Sequence, residues 1–305
     1  MRKLLINSSK IKSLLENDKF IVLDGGARGD IFSPFDLVNK KLLKIVRFEP
    51  DPKAKLEETE NQIIVPKGIW KNSSTIKLNI AESSAASSVF PFNRELQKYI
   101  DPYYDKRKTA QQIEIDCISI DDFIAESKIS TFDFIKLDIH GAEFEALEGA
   151  KSTLKSTLGL LVESWTLPIH LGQKTRPYVE SLIYDNDFYL FEEFSHSKWS
   201  RLNPNYITKQ PVSNDSLYFK DPLIENHGLS KKQLIKLICL ADLFDHLGFA
   251  IQLNKKLMNK ELISNEDGKF IASFLDSKFK QTPLKKLKMK IYEKIIKLLD
   301  PCTFR

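Results

Sequence analysis

The chain has 305 residues, of which 42% are hydrophobic and 29% charged. That balance suits a globular protein with one large domain and an appendage, and no apolar run reaches the length that spans a bilayer. The net charge of +5 is uneven, because residues 277–305 carry +7 and leave −2 for the preceding 276. A basic tail on a near-neutral body argues against a nucleic-acid-binding face spread over the fold. Cys117, Cys239 and Cys302 are odd in number and far apart. They fit a reduced, cytoplasmic setting better than a disulfide framework or a zinc site.

The N-terminus, "MRKLLINSSKIKSLLENDK", breaks its apolar residues with charge every few positions. It makes a poor signal peptide and reads as a short amphipathic helix over residues 1–19. "FIVLDGG" (20–26), "LKIVRFEP" (43–50) and "QIIVPKGIW" (62–70) are β-branched runs bounded by turn residues, which predicts buried strands. "TIKLNI" and "QIEIDCISI" alternate apolar with polar, as half-exposed strands do. Between them "AESSAASSVFPFNREL", continued by "YIDPYYDKRK", is a long polar insertion with the length of a lid.

The buried type returns in "FDFIKLDI" (132–139) and "LGLLVESW" (158–165). Phe144, Leu147, Ala150 and Leu154 fall between them at helical spacing. Strand, helix and strand in so short a compass predict a parallel pair with a right-handed crossover. "DFYLFEEF" and "SLYFK" close the series near Lys220. The expected fold is α/β, a mostly parallel sheet flanked by helices, with ligands at the C-terminal ends of its strands.

Beyond that point the strand signals stop. "LSKKQLIKLICLADLFDHLGF" places Leu234, Leu237, Ile238, Ala241 and Phe244 on one helical face. The expected organisation is one domain over residues 1–220 and a C-terminal helical appendage over 221–305. Its last helix, "PLKKLKMKIYEKIIKLL", sets Leu284, Leu287, Ile291, Ile295 and Leu298 on a stripe opposite lysines. It suits either a docked helix with a solvated lysine face or peripheral contact with an anionic membrane.

"IVLDGGARGD" puts Asp24 at the tip of the first strand, followed by Gly25, Gly26 and Gly29. Glycines allow tight turning and close approach of backbone to a ligand. A dinucleotide loop would read G-x-G-x-x-G, whereas this one opens with a carboxylate. Asp24 would repel a pyrophosphate but suits an ammonium, such as the amino-acid end of S-adenosylmethionine. "VRFEP" ends in Glu49, about 20 residues on, where an acid accepts hydrogen bonds from ribose hydroxyls. Each motif alone also reads as a plain turn or a solvated acid. The two acids on successive strand tips together favour an adenosyl ligand over nicotinamide.

"VLDGGARGD", "RFEPDP", "IEIDCISIDDFI", "FDFIKLDIHGAEFEALEGA" and "LLVES" stand in the order and spacing of one family. Over roughly residues 20–220 the chain resembles the FkbM family of S-adenosylmethionine-dependent methyltransferases. The resemblance implies a Rossmann-like class I methyltransferase fold and methyl transfer to a hydroxyl oxygen of a sugar, polyketide or other small acceptor. It matches Asp24, Gly25, Gly26 and Gly29 to the cofactor loop and Glu49 to the ribose-binding acid. Asp138, Gly141 and Glu143 match the Asp-x-Glu-Gly-x-Glu signature. His140 stands where the family usually has glutamate.

An alcohol is a poor nucleophile at neutral pH, so a base or a metal must help. His140, with an unperturbed pKa of about 6.5, suits a general base. Asp138 would orient its ring if the chain stays extended and sends both to one side. A second reading sets a divalent cation such as Mg2+ between Asp138 and Glu163, the next strand tip, with His140 as a mixed ligand. Glu143, in the first turn of the following helix, complements the helix dipole. Trp165, His170 and Arg176 fall in the loop beyond the fifth buried run and are expected to wall the acceptor. The expected function is an O-methyltransferase. Its alternative is a methyltransferase-like module that holds a ligand or partner without turnover.

Overall fold

A computed structural model describes residues 3–100, 104–199, 209–225 and 228–280. These fall into two units, residues 12–229 and residues 3–11 with 230–280. The strands are β1 Phe20–Gly25, β2 Leu43–Phe48, β3 Gln62–Val65, β4 Gly68–Ile69, β5 Ser74–Ala81, β6 Thr109–Ile118, β7 Phe134–Leu137, β8 Gly159–Trp165, β9 Phe188–Trp199 and β10 Gln210–Lys220. The helices are α1 Ser9–Leu14, α2 Arg94–Ile100, α3 Ile120–Glu126, α4 Glu143–Glu148, α5 Arg176–Tyr184, α6 Lys231–Leu243, α7 Leu247–Asn259 and α8 Asn265–Lys280.

Seven strands form one sheet in the order β3-β2-β1-β7-β8-β10-β9. The pairs β3/β2, β2/β1, β1/β7 and β7/β8 are parallel, and β10 runs antiparallel to both neighbours. The mostly parallel sheet is the one the sequence predicts, and β7-α4-β8 is its expected crossover unit. The antiparallel β10 follows from chain length. The ten residues between β9 and β10 are too few for a parallel crossover, which needs a dozen or more.

The core lies between the sheet and its helices. Leu23, Val46, Ile135, Leu137, Leu160 and Val162 from the central strands are inaccessible, as are Leu147 of α4 and Ile183 of α5. Each such side chain contributes about 1.5–3 kcal/mol by leaving water.

The strand expected over residues 62–70 divides in two. β3 ends at Val65, and Gly68–Ile69 leaves the main sheet to pair with β6. Pro66 stands at the break, because it has no N–H with which to continue a ladder. β5 and β6 pair antiparallel in the small sheet β4-β6-β5. Their alternation buries Leu78, Ile80, Ile115 and Cys117 on one face. In the main sheet β2 and β3 lie to one side of β1, and β7 and β8 to the other. The crevice at such a switch point is where open α/β sheets hold ligands.

The helical unit begins α6 with a capping box of Ser230 and Gln233. The N-terminal segment belongs to this unit. Leu5, Ile6 and Ile11 are buried, Leu5 N–H donates to the Asp242 carboxylate at 2.9 Å, and Lys10 pairs with Asp267 at 2.5 Å. The expected division, with residues 1–19 in the first domain, is thereby corrected. Apolar burial and an acid enclosed in α6 draw residues 3–11 to the helices. Among the described residues no helix is long and apolar enough to cross a membrane. The basic helix expected over residues 283–299 lies outside the described residues.

Removing one partner of a buried, charge-assisted bond costs about 3–5 kcal/mol. Asp242→Ala is expected to destabilise the helical unit by about 3 kcal/mol and to speed exchange of the Leu5 amide. Hydrogen–deuterium exchange on the full chain measures this, and unchanged Leu5 protection would refute the assignment.

Candidate functional site

The first loop and the tip of β7 meet backbone to backbone. Asp138 N–H donates to Gly25 O at 3.2 Å. Gly26 has φ +74, and a Cβ there would lie 2.0 Å from Asp138 O. Only glycine meets both conditions. Gly29 also has a positive φ, +91, but open space around it.

Asp24 faces Arg47 on one neighbouring strand and Lys136 on the other, in direct register. Its carboxylate is 3.4 Å from Arg47 Nε and 3.3 Å from Lys136 Nζ, and its side chain is 2% exposed. Arg47 also donates to the carbonyls of Ala27, Gly29 and Asp30 at 2.9, 2.7 and 3.2 Å, which sets the shape of the loop. Lys136 continues to Asp138 at 3.4 Å. Burial works to lower the Lys136 pKa, but the charges of Asp24 and Asp138 outweigh it and the net shift is upward. This corrects the reading of Asp24 as a direct partner for a ligand ammonium, because its carboxylate is enclosed by two cations inside the sheet. Arg47 and Lys136 escaped sequence reasoning. Their signal is a charged residue near the end of each buried run, "IVRF" and "FIKL".

A cavity of about 320 Å³ opens over these strand tips. Its lining includes Glu49, Asp138 and His140 together with Ile69, Leu78 and Ile115 of the small sheet. Glu49 lines this cavity at the tip of the second strand. Burial raises its pKa, opposed by the Asp51 amide and the charge of Arg28. The amide donates to Glu49 Oε1 at 2.9 Å, and Arg28 pairs with Asp51 at 2.5 Å. An apolar wall facing an acid fits a base and its ribose.

A second cavity of about 370 Å³ is lined by Ser83, Ala85, Ala86, Lys106, Arg107 and His140. His140 and Ala85 face both cavities. The polar insertion passes over this junction. Ser88 Oγ donates to His140 O at 2.7 Å, and Ser88 exchanges backbone bonds with Asn79 of β5 at 2.8 and 3.1 Å.

β7 ends at Leu137, and His140 takes a left-handed φ of +55. The chain does not stay extended, so strand alternation is not what unites Asp138 and His140. The turn does so instead. Ligand atoms of Asp138, His140 and Glu163 lie within 4.8 Å of one another. Glu163 Oε2 is 3.5 Å from His140 Nδ1, and the imidazole meets the rings of Trp165 and His170 edge-on at 5.4 and 6.3 Å. Burial pushes the His140 pKa down to about 4, against Asp138 and with Arg107. Its ring is then neutral, with a lone pair available, at neutral pH.

Glu163 is pushed well above the usual carboxylate range by burial and by Asp138, Glu143 and Asp215. Asp215, its register partner on β10, is raised to about 6 by burial and by Asp138. Sequence reasoning missed Asp215, whose signal is an acid within the strand run "SNDSLYFK". Glu143 accepts from the amides of Ile139 and Gly141, both at 2.9 Å, and so closes the turn. Burial raises it to about 8.

Of the three residues expected to wall the acceptor, Trp165 and His170 are buried behind the His140 ring. Arg176 starts α5 and pairs with Glu180 at 2.8 Å and with Glu193.

A mostly parallel open sheet, with a glycine turn after its first central strand and an acid after the second, defines an α/β protein of the class whose sheets hold ligands at the switch point. The FkbM methyltransferase domain matches residues 24–218. The chain belongs to that methyltransferase family and has its Rossmann-like fold. The family implies S-adenosylmethionine as methyl donor. A 2-O-methyltransferase, NoeI of Sinorhizobium fredii, is 24% identical over 178 residues, which is 54% of this chain and 71% of the relative. An FkbM methyltransferase structure from Methylobacillus flagellatus is 18% identical with a TM-score of 0.34, over 67% of this chain and 44% of that one. This chain thus matches less than half of that longer protein. A precorrin-6y C5,15-methyltransferase from Geobacter metallireducens is 11% identical with a TM-score of 0.31, over 72% of this chain and 93% of that one.

A side chain at Gly29 pays only for its left-handed backbone, about 1–2 kcal/mol. Gly26→Ala adds a collision with Asp138 O. It is expected to lower stability in chemical denaturation clearly more than Gly29→Ala does. Equal losses would show that the backbone contact is not tight.

Proposed function

We propose that the chain transfers a methyl group from S-adenosylmethionine to a hydroxyl oxygen of a sugar-like small acceptor. The observation that carries this is His140 on the wall of both cavities, one for the donor and one for the acceptor. In the first, Glu49 accepts from the ribose hydroxyls, and Ile69, Leu78 and Ile115 face the adenine. Gly25, Gly26 and Gly29 let the loop backbone approach the donor. Asp138, with a side chain 44% exposed on that wall, offers its carboxylate to the ammonium end. Asp24 acts at one remove, through Lys136. The likeness to NoeI, a 2-O-methyltransferase, supports oxygen as the atom methylated.

The acceptor oxygen attacks the methyl carbon in line. The carbon–sulfur bond breaks with its electron pair left on sulfur, and the thioether departs. The hydroxyl proton passes to neutral His140, while Glu163 beside Nδ1 orients the ring and stabilises the imidazolium.

A second reading rests on the crowding of Asp138, Glu163 and Asp215, in which Asp138 raises the proton affinity of both Glu163 and Asp215. Asp138, His140 and Glu163 would then hold a divalent cation, which when bound supplies a Lewis acid to the acceptor oxygen. The imidazole suits a transition metal better than Mg2+.

By calorimetry, S-adenosylhomocysteine is expected to bind the wild type, and Glu49→Ala to weaken it about tenfold through one lost charged hydrogen bond. His140→Ala and Glu163→Gln are expected to keep that affinity while product formation on a sugar and lipid-linked sugar panel falls about 100-fold. Binding without any turnover by wild type would favour the non-catalytic module instead.

Chelation separates the two chemical readings. Activity lost on dialysis against EDTA and restored by Mn2+ supports the cation. Unchanged activity leaves the His140–Glu163 pair as the proton acceptor.

A further inference from the structure

We propose that the acceptor carries an anionic group, a phosphate or a carboxylate, and that Lys106 and Arg107 dock it in the second cavity. This rests on the methyl-transfer reading above and names the class of acceptor it requires. Apart from His140, the ionisable side chains on that wall among the described residues are Lys106 and Arg107, both cationic. The acids Glu49, Asp51 and Asp138 line the first cavity instead, interspersed there with Arg28, Lys67 and Lys136. The carboxylates lie in the cavity assigned to the donor, whose sulfonium carries positive charge. Among the described residues of the second cavity, the charges an acceptor meets beside His140 are those of Lys106 and Arg107.

The two cations sit on a fixed backbone. They end the short 3-10 turn Tyr104–Arg107. Ser83 N–H donates to Lys106 O at 3.0 Å, and Glu82 N–H to Lys108 O at 3.1 Å. These bonds tie the turn to the same insertion that Ser88 anchors on His140. The acid of that turn, Asp105, pairs outward with Lys108 at 3.0 Å. Lys106 makes no ion pair among the described residues.

The remaining wall consists of Ser83, Ala85 and Ala86. Among the described residues it offers small side chains and no aromatic platform other than the imidazole, so a neutral sugar would find little to stack on there. A guanidinium beside an ammonium suits the forked oxygens of phosphate or carboxylate. A volume of about 370 Å³ falls within the range of small-molecule sites.

The test uses the full chain saturated with S-adenosylhomocysteine and calorimetry at low ionic strength with glucose 6-phosphate, glucuronate and glucose. The acidic sugars are expected to bind about tenfold tighter than glucose, with an advantage that shrinks as salt rises. The double variant Lys106→Gln/Arg107→Gln is expected to lose that preference and keep wild-type affinity for S-adenosylhomocysteine. Whichever acidic sugar binds tighter identifies the group. Equal binding of acidic and neutral sugars, no binding of the acidic ones, or a preference that survives in the variant overturns the proposal. Failure of S-adenosylhomocysteine to bind the wild type overturns the donor assignment beneath it, a separate and distinguishable result.

Discussion

The carboxylate of Asp24, shut inside the sheet between Arg47 and Lys136, is the constraint on which the site depends. A buried charge left unpaired costs several kcal/mol, so the three central strands must keep the register that sets both cations opposite it. From this follow the other contacts. Arg47 gathers the carbonyls that shape the glycine loop, and Lys136 reaches on to Asp138 at the cavity wall. The loop then presses so closely on the β7 tip that position 26 has no space for a side chain.

The charge network also separates two environments. Acids crowd the tips of β2, β7 and β8 and the middle of β10, while the two cations of the second cavity stand on the turn before β6. His140 lies at the junction, held by a left-handed turn that Glu143 closes from within and Ser88 grips from outside. Uncommon backbone conformations persist where surrounding contacts over-determine them, and they gather at functional sites. Here they direct one imidazole toward both chambers.

Much of the candidate site was legible in the residues. Glu49 and Asp138 each end a buried run, and a strand's direction alone places such acids on the ligand edge. The role of Asp24 was not legible. Its partners are remote in sequence, and a tip carboxylate reads the same whether it faces solvent, a ligand or two neighbouring cations. Glu163 and Asp215 meet only because β10 inserts antiparallel beside β8, a placement set by how the chain returns and not by local pattern.

By itself the sequence determined the α/β class, the parallel central strands, the helical C-terminal region and the family motifs, because hydrophobic period and turn chemistry act over a few residues. Tertiary structure alone decided that residues 62–70 serve two sheets, that residues 3–11 join the C-terminal helices, and that His140 leaves its strand to meet Glu163. Those outcomes depend on long-range burial and on charges that must find partners, and neither is written in the spacing of neighbouring residues.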